Sequence, residues 1–90
     1  MKALRFIIEG RVQGVGFRRS CYNEALKMGT LTGWVRNLED GSVEIFAQGG
    51  EVEIQKLLQW CRTGSFPAKV EKIREIPENP NPTIASFEIL

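Results

Sequence analysis

The chain contains no histidine. That removes imidazole from its usual roles near neutral pH: metal ligand, general base, and partner of a nucleophilic serine or cysteine. Any catalysis must therefore run without the commonest general base. Cysteine is scarce as well. Cys21 and Cys61 stand far apart in no C-x-x-C arrangement, and neither leads into a loop of backbone donors ending in an arginine, which excludes a cysteine phosphatase. Each falls on the apolar stripe of an expected helix and reads as a small buried hydrophobe, with an interhelical disulfide left open. Neither sign of charge is in excess: 12 basic residues face 11 acidic ones, for a net charge of +1. No global field draws the chain to nucleic acid, anionic lipid or a polyanion. Hydrophobic runs stop at a few residues, as in Phe6-Ile7-Ile8, too short to cross a membrane. Met1 to Arg5 carries no signal-peptide core, so a cytoplasmic location is expected.

What is present suits one domain over residues 1–90, with 42% hydrophobic and 26% charged residues. Leu4, Phe6 and Ile8 alternate with Arg5, Ile7 and Glu9, the period of a strand. A glycine-spaced stretch follows. Phe17, Cys21, Ala25 and Met28 then recur at helical spacing, with Gly29 placed just past the helix end. Leu31 to Leu38 is a second strand, Glu39-Asp40-Gly41 a hairpin turn, and Val43 to Gln48 a third strand. Ile54, Leu57, Leu58 and Cys61 mark an amphipathic helix over Glu51 to Arg62, closed by Gly64 and Pro67. Lys69 to Ile76 is β-rich, but Val70, Ile73 and Ile76 run at period three, which suggests a bulged edge strand. Asn79 to Pro82 is a loop, and Phe87 to Ile89 a short last strand. The order β-α-β-β-α-β plus that final strand predicts an α+β, ferredoxin-like split β-α-β sandwich, with two helices on one face of one sheet. By alternation the other face is expected to stay open and to carry Arg5, Glu9, Trp34, Arg36, Glu44 and Phe46.

The stretch Gly10-Arg11-Val12-Gln13-Gly14-Val15-Gly16-Phe17-Arg18 joins the first strand to the first helix. Glycines there let backbone N–H groups converge, the helix adds its positive end, and Arg18 adds a fork matched to phosphate oxygens. It is not a Walker loop, which ends Gly-Lys-Ser/Thr, nor a G-x-G-x-x-G fingerprint. On spacing alone it reads as a small-anion turn or as a tight turn with a surface arginine. Asn37, on the same strand face as Leu31, Gly33 and Val35, either initiates the hairpin turn or orients a water, since an amide both donates and accepts.

Gly10 to Arg18, then Gly33-Trp34-Val35-Arg36-Asn37-Leu38, then Asp40-Gly41-Ser42-Val43-Glu44, closely resemble the acylphosphatase family, over nearly the whole chain. The resemblance implies hydrolysis of a carboxyl–phosphate anhydride to carboxylate and inorganic phosphate. Arg18 matches the arginine that binds the phosphoryl group, and Asn37 the asparagine that positions the attacking water. Arg11, Val12, Gln13, Gly14, Val15, Gly16 and Phe17 would complete the phosphate-binding loop through their backbone, with solvation the favoured role for the Arg11 side chain. The family uses no metal or cofactor. The expected partners are a small-molecule acyl phosphate and phosphate or a similar anion, with no nucleic acid and no membrane, and the chain is expected to act as a monomer. Gly29-Thr30-Leu31 stands where the family reads glycine-leucine, an apparent one-residue insertion that strand pairing should absorb before Asn37.

Elementary chemistry agrees with that reaction. The leaving carboxylic acid has a pKa of about 4, so departure needs no general acid. Phosphoryl transfer asks mainly for positioning and for charge against the peripheral oxygens, which backbone donors and one arginine supply. The rivals are an anion- or RNA-binding module, using Trp34 and Phe46 to stack bases, and a regulatory amino-acid-binding domain of similar topology. Against RNA stand Glu9 and Glu44 on the same face. Acylphosphatase-like modules also stand at the front of large carbamoyl-transferring maturation proteins, and an end at Leu90 favours the stand-alone enzyme.

Overall fold

A computed structural model describes residues 1–90 as β1 (Lys2–Arg11), α1 (Phe17–Met28), β2 (Thr32–Asn37), β3 (Val43–Gly49), α2 (Glu51–Thr63), β4 (Lys69–Glu78) and β5 (Phe87–Ile89). The sheet runs β4-β1-β3-β2-β5, antiparallel except for the parallel β2–β5 pair. This is the expected ferredoxin-like α+β order, with β5 added beside β2.

Strand alternation sends Phe6 and Ile8 of β1, Val35 of β2, and Val43, Ile45 and Ala47 of β3 to the helix side. There they meet Phe17, Cys21 and Ala25 of α1 and Ile54, Leu57, Leu58 and Cys61 of α2. These stripes at three- and four-residue spacing are what turn both helices onto the sheet. Every residue of β3 is buried, because it is the central strand. Cys21 and Cys61 are both buried and free, so the reading as small core hydrophobes holds and no disulfide joins the helices.

β1 and β4 are each longer than the alternation suggested, and they support one another over most of their length. Glu9 pairs with Lys72 and Gly10 with Val70, so Glu71 is an extra residue on β4. That bulge explains the period of three. It brings Val70 and Ile73 onto the core side together, while Ile76 falls opposite Arg5 on the other face.

The outer sheet face is less open than alternation implied. Glu44, with its side chain 6% exposed, accepts hydrogen bonds from Arg5 (2.7 Å) and Arg36 (2.6 Å). Trp34 and Phe46 stack at 6.0 Å between centroids, with the Arg36 guanidinium 5.0 Å from the Trp34 centroid. The β4–β5 connection reaches this face at Gln48, which donates to the Asn81 carbonyl and accepts from the Asn81 N–H. Both arginines that face Trp34 and Phe46 are thus committed to a carboxylate, and Phe46 itself is buried.

The connection from α1 to β2 runs through Gly29, Thr30 and Leu31. Gly29 ends α1 with its N–H on the Leu26 carbonyl, Thr30 is exposed, and Leu31 turns into the core. Asn37 then pairs with Val43, a core-facing residue, so Asn37 keeps the helix side of the sheet.

Candidate active site

Asn37 lies at the end of β2, on the same side of the sheet as α1. The loop from Val12 to Gly16 leaves β1 and enters α1 at the same rim. Strands β1 and β2 are not neighbours, because β3 lies between them. A side chain spans the gap instead. Gln13 Nε2 donates to the Leu38 carbonyl at 2.7 Å and to the Ser42 carbonyl at 2.9 Å. Those residues flank the hairpin turn, whose ends are joined by the Leu38 N–H donating to the Ser42 carbonyl at 2.9 Å. Asp40 stiffens the turn by accepting from the Ser42 N–H at 2.9 Å and from its hydroxyl. Those two hydrogen bonds hold the Asp40 carboxyl below its ordinary pKa.

The loop is built to leave its donors free. Gly14 and Gly16 adopt φ of +74° and +79°, with nothing within 4 Å of where a Cβ would stand. Left-handed residues interleaved with ordinary ones turn successive N–H groups toward one side. None of the backbone N–H groups from Val12 to Gly16 donates to another group of the chain, and the first helical bond runs from the Ser20 N–H to the Gly16 carbonyl. The N–H groups of the first turn of α1 therefore also point outward, with no capping side chain and no acidic residue there.

Val12, Gly14, Gly16, Phe17, Arg18, Arg19, Asn37 and Ile89 enclose a cavity of about 210 Å³. Its charge is wholly positive. Arg5, Arg36, Arg62 and Arg74 each pair with a glutamate, whereas Arg18 and Arg19 form no ion pair. Arg18 is half-buried and donates to the Leu90 carbonyl at 3.1 Å. That carbonyl is held in turn, because the Leu90 N–H bonds to the Val35 carbonyl at 2.9 Å. Asn37 makes no hydrogen bond through its side chain, and its Oδ1 is buried without a partner. A buried acceptor left unpaired is costly unless something in its cavity donates to it.

Of the residues expected from sequence, Val12, Gly14, Gly16, Phe17, Arg18 and Asn37 meet around this cavity. Arg11, Gln13 and Val15 do not line it. Arg11 is exposed at the end of β1, opposite Lys69. Val15 packs against the core. The Gln13 side chain serves the hairpin, a role its position between two glycine turns did not disclose. Two lining residues were missed, Arg19 and Ile89. For Arg19 a signal existed: no acidic residue lies three or four positions away on α1 to neutralise it, whereas Lys27 has Glu24 one turn back at 3.0 Å. No group of three or more Asp, Glu or Cys side chains gathers here in a metal-binding arrangement.

The profile of the acylphosphatase family matches residues 4–89. An acylphosphatase of Synechococcus sp. (strain CC9902) is 53% identical over 70 residues, which is 78% of this chain and 59% of that protein. That match thus spans less than two thirds of the relative's own length. The crystal structure of acylphosphatase from Bacillus subtilis superposes with a TM-score of 0.93 at 40% identity, covering 100% of this chain and 99% of that one. Full-length HypF in its phosphate- and nucleotide-bound form matches with a TM-score of 0.85 at 25% identity over 99% of this chain, but over only 12% of HypF. With nearly every residue inside the family's profile and its fold laid over a solved acylphosphatase, the chain belongs to the acylphosphatase family.

Proposed function

We propose that this chain, acting as one domain over residues 1–90, hydrolyses acyl phosphates by direct attack of a water on a phosphoryl group held by the 11–17 loop and Arg18. Family membership and the solved relatives support acyl phosphate hydrolysis. One observation carries the assignment of roles: the buried, unpartnered Oδ1 of Asn37 shares a cavity with open backbone donors and with an arginine free of any carboxylate.

In this reading the loop N–H groups and the first turn of α1 bind the peripheral phosphoryl oxygens. Arg18 adds a charged fork, steadied by the Leu90 carbonyl. Asn37 Oδ1 accepts a hydrogen bond from water and fixes its lone pair on phosphorus. The water oxygen forms the new P–O bond as the bond to the acyl oxygen breaks. The breaking pair leaves with the acyl group as a carboxylate, and the water's proton passes to a phosphate oxygen. No side chain has to titrate, which suits a cavity lined by arginines, an amide and apolar groups. The reading calls on no metal or cofactor. A monomer and a cytoplasmic setting belong to the same proposal, and two core thiols that remain unpaired suit that compartment.

Release of phosphate from benzoyl phosphate tests it. Wild type should far exceed buffer, while Arg18→Ala and Asn37→Ala should each lose on the order of 100-fold in kcat. Inorganic phosphate should raise the Tm of wild type but not that of Arg18→Ala. A wild type no faster than buffer, or two folded variants with full activity, would end this assignment.

A further inference from the structure

Arg19 directly follows Arg18 in the first turn of α1, and both line the phosphoryl cavity. Successive helical residues point about 100° apart, so the two cations reach the cavity from different sides. Arg18 is tied to the Leu90 carbonyl at 3.1 Å. Arg19 is exposed, with its guanidinium 5.8 Å from the centroid of the Tyr22 ring. Nothing neutralises Arg19. It forms no ion pair, and the first turn of α1 holds no acidic residue. Tyr22 and Asn23, three and four positions on, are uncharged. Glu88 lies on the outer side of Arg19, near Tyr22, but engages the Ser86 hydroxyl at 3.2 Å. For the fold alone this arrangement is unfavourable. The N-terminal end of a helix is already positive, and two successive arginines add to it. One ring at 5.8 Å on an exposed surface offsets little of that repulsion. A dianion in the cavity turns the repulsion into attraction.

We infer that Arg19 is a second anion-facing cation of this site, which draws in the phosphoryl dianion that Arg18 and the loop then seat. The inference rests on the acyl phosphate reading above. Arg18 is half-buried and held, which suits a group that must meet charge at a fixed place. Arg19 is exposed and loosely held, so its attraction acts on the approaching substrate and on the seated phosphoryl group alike. Binding of that uniform kind lowers KM and leaves kcat where it was. It is also blind to the acyl group. What Arg19 selects is the phosphoryl dianion itself, whether carried by an acyl phosphate or released as inorganic phosphate.

The experiment measures kcat and KM for benzoyl phosphate, the inhibition constant of inorganic phosphate, and Tm without phosphate, in wild type, Arg19→Gln and Arg19→Lys. Arg19→Gln should raise KM about three- to tenfold and keep kcat within about twofold. The inhibition constant of phosphate should rise by the same factor as KM, since phosphate carries the charge without the acyl group. Arg19→Lys should restore both to within about twofold of wild type, because a point charge is enough for attraction at this range. Raising sodium chloride from about 20 to about 200 mM should lower kcat/KM of wild type more steeply than that of Arg19→Gln. The Tm of Arg19→Gln should not fall, because a repulsion at the helix end has been removed. A loss confined to kcat, with KM and phosphate inhibition unchanged, overturns the inference, since Arg19 would then act on the reacting bond. Failure of Arg19→Lys to recover, or a lowered Tm with every constant unchanged, overturns it in favour of packing. A wild type inactive on benzoyl phosphate that still binds phosphate more tightly than Arg19→Gln, read by calorimetry, ends the hydrolase reading and leaves the anion role of Arg19 standing. A wild type that neither turns over nor binds phosphate ends both.

Discussion

Gln13 Nε2 lies 2.7 Å from the carbonyl oxygen of Leu38, a residue 25 positions further along the chain. Leu38 directly follows Asn37, so this one amide fixes the distance between the anion loop and the side chain proposed to hold the water. The bond is shared with the Ser42 carbonyl on the other limb of the turn.

Gln13→Ala should therefore damage the reaction more than the fold. Losing two part-buried hydrogen bonds costs about 1–2 kcal/mol, which lowers Tm by several degrees in a domain of this size. Misplacing Asn37 by even about 1 Å can cost on the order of 100-fold in rate. Calorimetry alongside benzoyl phosphate turnover should show a folded protein with at least a tenfold lower kcat. Full activity in the folded variant would show that the loop and hairpin keep their spacing without the amide.

The rate should hardly respond to pH. No carboxylate, imidazole, thiol, phenol or amine lines the cavity. For benzoyl phosphate, kcat should stay within about twofold from roughly pH 6 to pH 9. A bell-shaped profile centred near neutrality would demand a general base that this cavity does not contain.

Stability should respond to acid, and through Glu44. Burial alone would raise its carboxyl, but the hydrogen bonds from Arg5 and Arg36 outweigh burial and hold it below the reference value of 4.5. A carboxyl with a depressed folded pKa contributes stability that is fully present above the unfolded value and is lost as pH falls through the folded one. Glu44→Gln should cost about 2 kcal/mol at pH 7, discounted because both arginines are partly exposed. Urea denaturation repeated at falling pH should bring wild type and variant together once the carboxyl is protonated. A gap that persists unchanged below the folded pKa would assign the loss to packing.

The core thiols should be silent in the native protein. The Cys61 pKa is raised well above its ordinary value by the contact with Cys21 and by burial, so almost no thiolate forms at neutral pH. Ellman's reagent should label neither cysteine within minutes under native conditions, and both in urea. Rapid native labelling would mean that α1 and α2 separate readily.

Much of this fold was legible because local chemistry and final position agree. The alternation at Leu4, Phe6 and Ile8 and the helical spacing at Ile54, Leu57, Leu58 and Cys61 describe faces that one core buries. The Asp40-Gly41 turn needed only local residues. Where the outcome depended on pairing, the pattern ran short. The bulge at Glu71 shows only when β4 lies against β1, and alternation at Gln48 could not announce that Asn81 would cover it. The site divides in the same way. Arg18 and Asn37 were legible through the family resemblance, since spacing alone left a plain turn open at each. Gln13 and Ile89 meet the site across sequence distances that only the assembled sheet closes, whereas Arg19 directly follows Arg18.

The place of β3 in the middle of the sheet has a consequence for how activity first arises. The proposed cradle follows β1 and the amide proposed to hold the water ends β2, and β3 is synthesised after both, yet it must lie between them before either reaches working distance of the other. A nascent chain that has released β1, α1 and β2 but not β3 holds every proposed reacting group and no reaction centre. On that proposal hydrolysis begins only once the middle strand is seated, so turnover measured during refolding is a clock for the placement of β3.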